Sequence, residues 1–149
     1  MINIGDQLPD FVAKNQDGTE VKSSSFLGEK LVIFFYPQAS TPTCTVEACN
    51  FRDGYAELRA AGYQILGISA DGEKKQKNFH AKHGFPFDLI ADENKELVEL
   101  FGVWKEKKNF GKTYMGIVRT TFVFDEQGIC VRIIDKVKSK EATAQILEG

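Results

Sequence analysis

The chain has few cysteines and histidines, and it lacks a long apolar segment. Three cysteines and two histidines occur among its 149 residues. The longest apolar run, LVIFFY at 31–36, is far shorter than the roughly 20 residues that a membrane-spanning helix needs. The N-terminus, MINIGDQLPDF, has neither the basic segment nor the apolar core of a secretory signal. These absences predict a cytoplasmic protein with no membrane partner.

The charge balance also lacks a dominant sign. The formal net charge is -2, although 27% of the residues are charged. Because nucleic acids and anionic membranes attract strongly basic surfaces, we expect neither as a partner and favour a small neutral or mildly polar substrate. A hydrophobic content of 42% is enough for one compact domain, which we predict to span residues 1–149.

The odd number of cysteines argues against a structural disulfide framework. Thiols are kept reduced in the cytoplasm, so three interpretations remain for each cysteine: catalysis, metal binding or simple burial. Cys130 lies inside the strand-like segment GICVRII, and burial is the expected interpretation there. The other two cysteines, Cys44 and Cys49, lie close together and need a separate argument.

Hydrophobic patterns predict alternating strands and helices. A hairpin is expected around Asp17-Gly18, and a helix is expected to begin at Pro42 and to end near Gly62. We predict WKEKKNFGK at 104–112 to be an exposed loop. The other predicted elements are strands at 31–36, 63–70 and 85–90, helices at 73–84, 94–102 and 140–149, and two β segments within 120–135. This order predicts a three-layer α/β sandwich around a mixed sheet.

The segment STPTCTVEACNF at 40–51 places Cys44 in the first turn of a predicted helix. Unpaired backbone N–H groups and the positive end of the helix dipole stabilise a thiolate at that position. The segment also follows a buried strand, so Cys44 is expected at the carboxyl edge of the sheet, where α/β proteins place their sites. Thr41 can either cap the helix or hold its hydroxyl near the sulfur. This setting favours catalysis over burial for Cys44.

Cys49 follows Cys44 by five residues. On an ideal helix this spacing gives a rise of about 7.5 Å and a rotation of about 140°, which places the two Cα atoms roughly 8–9 Å apart. A disulfide seldom spans more than about 7 Å between Cα atoms. If the two cysteines pair during turnover, this part of the helix must unwind, and we hypothesise that it opens after Cys44 is oxidised.

The segment FFYPQASTPTCTVEACNFRD at 34–53 resembles the active-site segment of the peroxiredoxins. The signature of that family is Pro, three residues, Thr or Ser, two residues and Cys, and it is matched by Pro37, Thr41 and Cys44. Cys49 is similar to the resolving cysteine of the Q group, also called bacterioferritin comigratory proteins. The likeness continues through GDQLPDFVAKNQDG, ILGISAD, FPFDLIAD and GVWKEKKNFGKTYMGIVRTTFVFDEQG.

The resemblance implies a thioredoxin-like fold and a thiol peroxidase that needs no metal or organic cofactor. Cys44 would attack hydrogen peroxide or an organic hydroperoxide and become a sulfenic acid, the first step of cysteine oxidation. Cys49 would then form a disulfide with it. Thioredoxin or a similar dithiol protein would reduce the disulfide, and the protein would be a monomer.

The resemblance also implies roles for four residues around Cys44. Arg119, in VRTTFVF, would stabilise the thiolate and the negative charge that develops on the leaving oxygen. Thr41 would hydrogen-bond the peroxide, Pro37 would shield the site from water, and Glu47 would orient the arginine. Without the resemblance, Arg119 is most simply a solvated surface charge, and Glu47 an acidic residue that favours the helix N-terminus.

Two other functions compete with the peroxidase. One is a zinc-binding structural domain, because Cys44 and Cys49 form C-x4-C while His80 and His83 form H-x2-H. These spacings differ from those of common zinc fingers, and the histidines lie in a lysine-rich segment. The other is a general disulfide oxidoreductase on the same fold, although such proteins usually carry the C-x-x-C motif that this chain lacks.

Overall fold

The computed structural model describes residues 1–148, which form nine strands and five α-helices. The strands are β1 Val12–Lys14, β2 Glu20–Lys22, β3 Lys30–Phe35, β4 Tyr63–Ser69, β5 Asp88–Ala91, β6 Trp104–Asn109, β7 Lys112–Ile117, β8 Thr120–Phe124 and β9 Cys130–Ile134. The helices are α1 Pro42–Asp53, α2 Tyr55–Ala60, α3 Glu73–His83, α4 Glu96–Leu100 and α5 Ala142–Leu147. Short 3-10 turns cover Ser23–Phe26 and Ser139–Glu141. The predicted alternation of strands and helices is confirmed.

Five strands form the central sheet, in the order β5-β4-β3-β8-β9. The strand β4 runs parallel to both β3 and β5, whereas β8 runs antiparallel to both β3 and β9. The predicted mixed sheet is therefore confirmed. Its central strand is β3, which carries the longest apolar run of the sequence, because this strand is covered on both faces.

The two faces of β3 supply two separate hydrophobic clusters. Leu31, Ile33 and Phe35 point to the face covered by α4 and the N-terminal segment. The alternate residues Val32, Phe34 and Tyr36 continue into the cluster formed with α1, α2, α3 and α5. Side chains that alternate along a strand point to opposite faces of the sheet, so the clusters make the three layers that were predicted.

The helix predicted from Pro42 to about Gly62 is interrupted at Gly54, where α1 ends and α2 begins. The apolar spacing continues through the interruption, and this is why the sequence predicts one helix. At Gly54, however, Thr143 of α5 packs so closely that a Cβ atom there would lie 2.3 Å from its Cγ2 atom. The missing side chain therefore allows α5 to pack against the junction of the two helices.

The exposed loop predicted over 104–112 is wrong, because this segment forms β6 and pairs with β7 as an antiparallel hairpin. Phe110 and Gly111 both have positive φ angles at the tip, as hairpin turns favour. The sequence hides the strands because most of their residues are exposed, so no apolar alternation marks them. Lysine side chains instead cover aromatic rings, as Lys107 does over Tyr114.

Other differences concern the ends of elements. The helix predicted over 94–102 is confined to α4, and the final helix predicted over 140–149 is reduced to a 3-10 turn followed by α5. Gly149 lies outside the described residues. Within residues 1–148, no helix is long and apolar enough to cross a membrane.

Candidate active site

Cys44 lies in the first turn of α1, as predicted. The helix begins at Pro42, whose lack of an N–H group suits the first helical position. The loop between β3 and α1 delivers Cys44 to the carboxyl end of the sheet, and its side chain is only 1% exposed. Burial removes most of the solvent around the sulfur, so the neighbouring side chains determine its electrostatic environment.

Arg119 provides the cation beside this sulfur. Its Nη2 atom donates a hydrogen bond to Cys44 Sγ at 3.1 Å, and its Nη1 atom donates one to Glu47 Oε1 at 2.5 Å. Glu47 follows Cys44 by three residues, so the two side chains lie on the same face of α1. The planar guanidinium can therefore contact both residues at once and is fixed between them.

Burial strongly affects the ionisation of this pair. Glu47 is fully buried, and burial raises its pKa to about 7, against the lowering effect of Arg119. Burial lowers the pKa of Arg119, but Glu47 and Cys44 together raise it above its ordinary value. The guanidinium therefore stays charged, and its charge is shared between one carboxyl group and one sulfur.

A chain of hydrogen bonds fixes the loop that precedes Cys44. Asp71 accepts hydrogen bonds from the backbone N–H of Ala39 and from the hydroxyl of Ser69, both at 2.7 Å. Gln76 donates to the same hydroxyl at 2.9 Å and accepts a hydrogen bond from Tyr36. Sequence reasoning assigned no role to Asp71, although the motif ILGISAD contains it.

The hydroxyl of Thr41 is oriented toward its own loop. It donates a hydrogen bond to the backbone oxygen of Gln38 at 2.8 Å, and it makes no capping bond to α1. The sequence allowed Thr41 either to cap the helix or to hold its hydroxyl near the sulfur, and the structure does not show capping. Because a hydroxyl also has two acceptor lone pairs, this oxygen still has capacity for another hydrogen bond. Pro37 lies half-buried in the same loop.

The other two cysteines differ in position and exposure. Cys49 is half-buried on α1 and forms no disulfide with Cys44. Cys130 is buried in the cluster on the opposite face of the sheet from Cys44, and burial raises the pKa of its thiol. The expected burial of Cys130 is confirmed. The sheet therefore separates Cys130 from the pair on α1.

The four residues of the zinc alternative do not form a cluster. A ring nitrogen of His80 lies 3.1 Å from the backbone oxygen of Phe87, and His83 stacks on Phe85. Within residues 1–148, no group of three or more histidine, cysteine, aspartate or glutamate side chains has a geometry that could hold a metal ion. The structure therefore gives the zinc alternative no support.

Comparisons with known proteins agree with this arrangement. The AhpC/TSA family profile matches residues 4–133. Peroxiredoxin Bcp of Bacillus subtilis is 44% identical, over 99% of this chain and 94% of the relative. Peroxiredoxin Bcp of Escherichia coli is 42% identical, over 93% of this chain and 88% of the relative.

Solved structures show the same likeness. Peroxiredoxin Q of Xanthomonas campestris superposes with a TM-score of 0.89 at 37% identity, over 99% of this chain and 96% of that one. Another structure, of the bacterioferritin comigratory protein from the same organism, superposes with a TM-score of 0.87 at 36% identity, over 96% of each chain. That protein has been studied for alkyl peroxide reduction. The predicted thioredoxin-like fold is confirmed by these neighbours.

The AhpC/TSA profile covers most of the chain, so the chain belongs to that family, and its relatives and its thioredoxin-like fold make it a thiol peroxidase. Within the family it belongs to the Bcp peroxiredoxins, also called the Q group. The resemblance found in the sequence is therefore confirmed.

Proposed function

We propose that Cys44 is the peroxidatic residue, that Cys49 resolves its oxidised form, and that thioredoxin or a similar dithiol protein reduces the resulting disulfide. The substrates are hydrogen peroxide and organic hydroperoxides. The observation that carries this proposal is the 3.1 Å hydrogen bond from Arg119 to the sulfur of Cys44. A guanidinium at this distance favours the thiolate, the form of cysteine that acts as a nucleophile.

In the first step, the Cys44 thiolate attacks the terminal oxygen of the hydroperoxide. An S–O bond forms while the O–O bond breaks, and the leaving oxygen takes up a proton to become water or an alcohol. Negative charge moves from sulfur to this leaving oxygen, so the cation of Arg119 stabilises both the reactant and the transition state. Thr41 accepts a hydrogen bond from the O–H group of the peroxide, and Pro37 limits the access of water.

In the second step, the thiol of Cys49 attacks the sulfur of the Cys44 sulfenic acid. An S–S bond forms and water leaves. Both cysteines lie on α1, five residues apart, and a regular helix holds their Cα atoms about 8–9 Å apart, so the helix must unwind locally. A dithiol reductant then exchanges with the Cys44–Cys49 disulfide and restores both thiols.

Mass spectrometry after a single oxidation tests this sequence of steps. With one equivalent of hydrogen peroxide, the native protein is expected to lose two hydrogens and to yield a peptide linked through Cys44 and Cys49. Cys44→Ser is expected to consume no peroxide. Cys49→Ser is expected to consume one equivalent and then to stop, even with thioredoxin and its reductase present.

Cys130→Ser is the matched control, because Cys130 is buried on the other face of the sheet, and it should turn over like the native protein. Full thioredoxin-coupled turnover by Cys49→Ser would remove the resolving role of Cys49. Reduction of insulin disulfides in the absence of peroxide would instead favour the general oxidoreductase.

We also propose that the protein acts in the cytoplasm as a monomer. An odd number of cysteines agrees with a reducing compartment, and the likeness to the Q group supports the monomeric state. Sedimentation equilibrium of the reduced and the oxidised protein tests the second statement. A dimer mass in either form would contradict it.

A further inference from the structure

Asn50, the residue that follows Cys49, ties α1 to the C-terminal segment, defined here as Ser139–Leu147. Its side-chain Nδ2 atom donates a hydrogen bond to the backbone oxygen of Lys140 at 2.7 Å. Its Oδ1 atom accepts one from the backbone N–H of Thr143 at 2.9 Å. The backbone oxygen of Asn50 also accepts a hydrogen bond from the Thr143 hydroxyl at 2.9 Å. Three hydrogen bonds thus fix one residue of α1.

The C-terminal segment is itself anchored to the central sheet. Arg132 of β9 donates hydrogen bonds to the backbone oxygens of Gln145 and Ile146, at 2.9 Å and 3.1 Å. Ala142 and Ile146 are buried in the cluster between the sheet and the helices. The segment therefore has attachments that do not depend on α1, and it can act as a fixed support for Asn50.

We propose that Asn50 is a positioning residue that restrains the Cys49 end of α1 and thereby slows disulfide formation. This inference rests on the proposed function, in which Cys49 must approach Cys44. The backbone of Cys49 is bonded directly to that of Asn50, so Cys49 cannot move far while Asn50 remains hydrogen-bonded to the C-terminal segment. For the two sulfur atoms to meet, there are two routes. Either the hydrogen bonds to Lys140 and Thr143 break, or the first turns of α1 unwind far enough to carry Cys44 to Cys49.

The restraint affects the fate of the Cys44 sulfenic acid. Either Cys49 attacks it, which forms the disulfide and releases water, or a second hydroperoxide oxidises it to a sulfinic acid and is reduced to water or an alcohol. The first reaction waits for α1 to open, whereas the second depends on the peroxide concentration. Asn50 therefore influences how much peroxide the enzyme tolerates before Cys44 is overoxidised.

Asn50→Ala removes two of the three hydrogen bonds and tests the proposal. Two hydrogen bonds of ordinary net strength correspond to about a thirtyfold change in the opening equilibrium. We expect the rate constant of disulfide formation to rise by about that factor, and the peroxide concentration that gives half sulfinic acid to rise with it. Rapid quenching with a thiol-alkylating reagent, followed by intact mass, measures thiol, disulfide and sulfinic acid in the same samples.

Two further variants complete the design. Thr143→Val keeps the side-chain shape but removes the third hydrogen bond. It should shift the partition, meaning the ratio of disulfide to sulfinic acid, in the same direction by a smaller factor. Asn94→Ala is the matched control, because Asn94 is an exposed asparagine in the loop between β5 and α4, and it should leave the partition unchanged. The rates of amide hydrogen exchange at residues 44–52 should be higher in Asn50→Ala and in Thr143→Val than in the native protein.

An unchanged partition in both Asn50→Ala and Thr143→Val would overturn the proposal. Slower disulfide formation in Asn50→Ala would also overturn it, because the hydrogen bonds would then help to align Cys49 rather than restrain it. If the native protein forms no Cys44–Cys49 disulfide, the proposed function itself fails, and the role of Asn50 fails with it. The native sample in the same experiment therefore distinguishes the two failures.

Discussion

Arg119 donates a hydrogen bond to the sulfur of Cys44 at 3.1 Å, although the two residues are 75 positions apart in the sequence. The helix α1 supplies the sulfur, and the segment between β7 and β8 supplies the guanidinium. Because β8 lies next to β3 in the sheet, and β3 leads into α1, the fold brings these two segments together. The contact between Arg119 and Cys44 therefore depends on the order of strands in the sheet rather than on any local sequence pattern.

Replacement of Arg119 by methionine is the first prediction. Methionine keeps much of the side-chain length but removes the charge that stabilises the thiolate and the leaving oxygen. We expect the rate constant for oxidation of Cys44 by hydrogen peroxide to fall by about 10²–10³, the usual cost of losing one such donor. Stopped-flow measurement under single-turnover conditions gives this constant directly.

Two other variants make the result for Arg119 specific. Arg119→Lys retains the charge but not the two-armed geometry, so its rate constant should lie between those of the methionine variant and the native protein. Lys108→Met removes a cation from the exposed hairpin and should have no effect. Equal rate constants in the native protein and Arg119→Met would show that the hydrogen bond to Cys44 contributes nothing to the reaction.

Much of the fold follows from local patterns in the sequence. The continuous apolar run at 31–36 predicts a strand covered on both faces, and β3 has hydrophobic clusters on both sides. Pro42 predicts the start of a helix, and α1 begins there. The position of Cys44 follows from these two local features, because the strand and the helix start define the loop between them.

Contacts between distant segments could not be predicted in the same way. Asn50 and Thr143 are 93 positions apart, and neither residue has an unusual local setting. The bond from Ala39 to Asp71 similarly depends on the parallel pairing of β3 and β4. The hairpin at 104–117 was missed for another reason, since its strands bury few side chains and so show no hydrophobic period.

The second prediction concerns the pH dependence of stability. Burial raises the pKa of Glu47 from 4.5 to about 7 in the folded protein, whereas in the unfolded chain the value returns to its ordinary level. Between pH 4.5 and about pH 7, Glu47 therefore keeps a proton in the folded state that it has lost in the unfolded state. The contribution of Glu47 to stability is therefore greatest at acidic pH and declines as pH rises through about 7.

Glu47→Gln removes this titration while keeping a hydrogen-bond acceptor for Arg119. The free energy of unfolding of the native protein, relative to that of Glu47→Gln, should fall between pH 5 and pH 8. Urea denaturation of the reduced proteins at several pH values measures this difference. Glu57→Gln, at an exposed residue of α2, is the control and should show no such trend. Parallel pH profiles for the native protein and Glu47→Gln would contradict the prediction.

The third prediction tests the close packing of α5 against the junction of α1 and α2. A Cβ atom at Gly54 would lie 2.3 Å from Cγ2 and 2.4 Å from Oγ1 of Thr143, which is too close for any real contact. Gly54 has a φ angle of -94°, so alanine causes no backbone strain there. We expect Gly54→Ala to lower the free energy of unfolding by about 1–3 kcal/mol, as overpacking usually does.

A double-mutant cycle with Thr143→Ala separates this contact from other effects. Thr143→Ala removes the two atoms that the new Cβ would meet first, so Gly54→Ala should cost clearly less in that background. Urea denaturation of the four reduced proteins gives the coupling free energy. Gly54 separates α1 from α2 and has a φ angle that alanine adopts freely, so a loss of stability reports the contact with Thr143 rather than the backbone. A native-like or raised stability of Gly54→Ala in the presence of Thr143 would therefore show that α5 can move away from the junction at little cost.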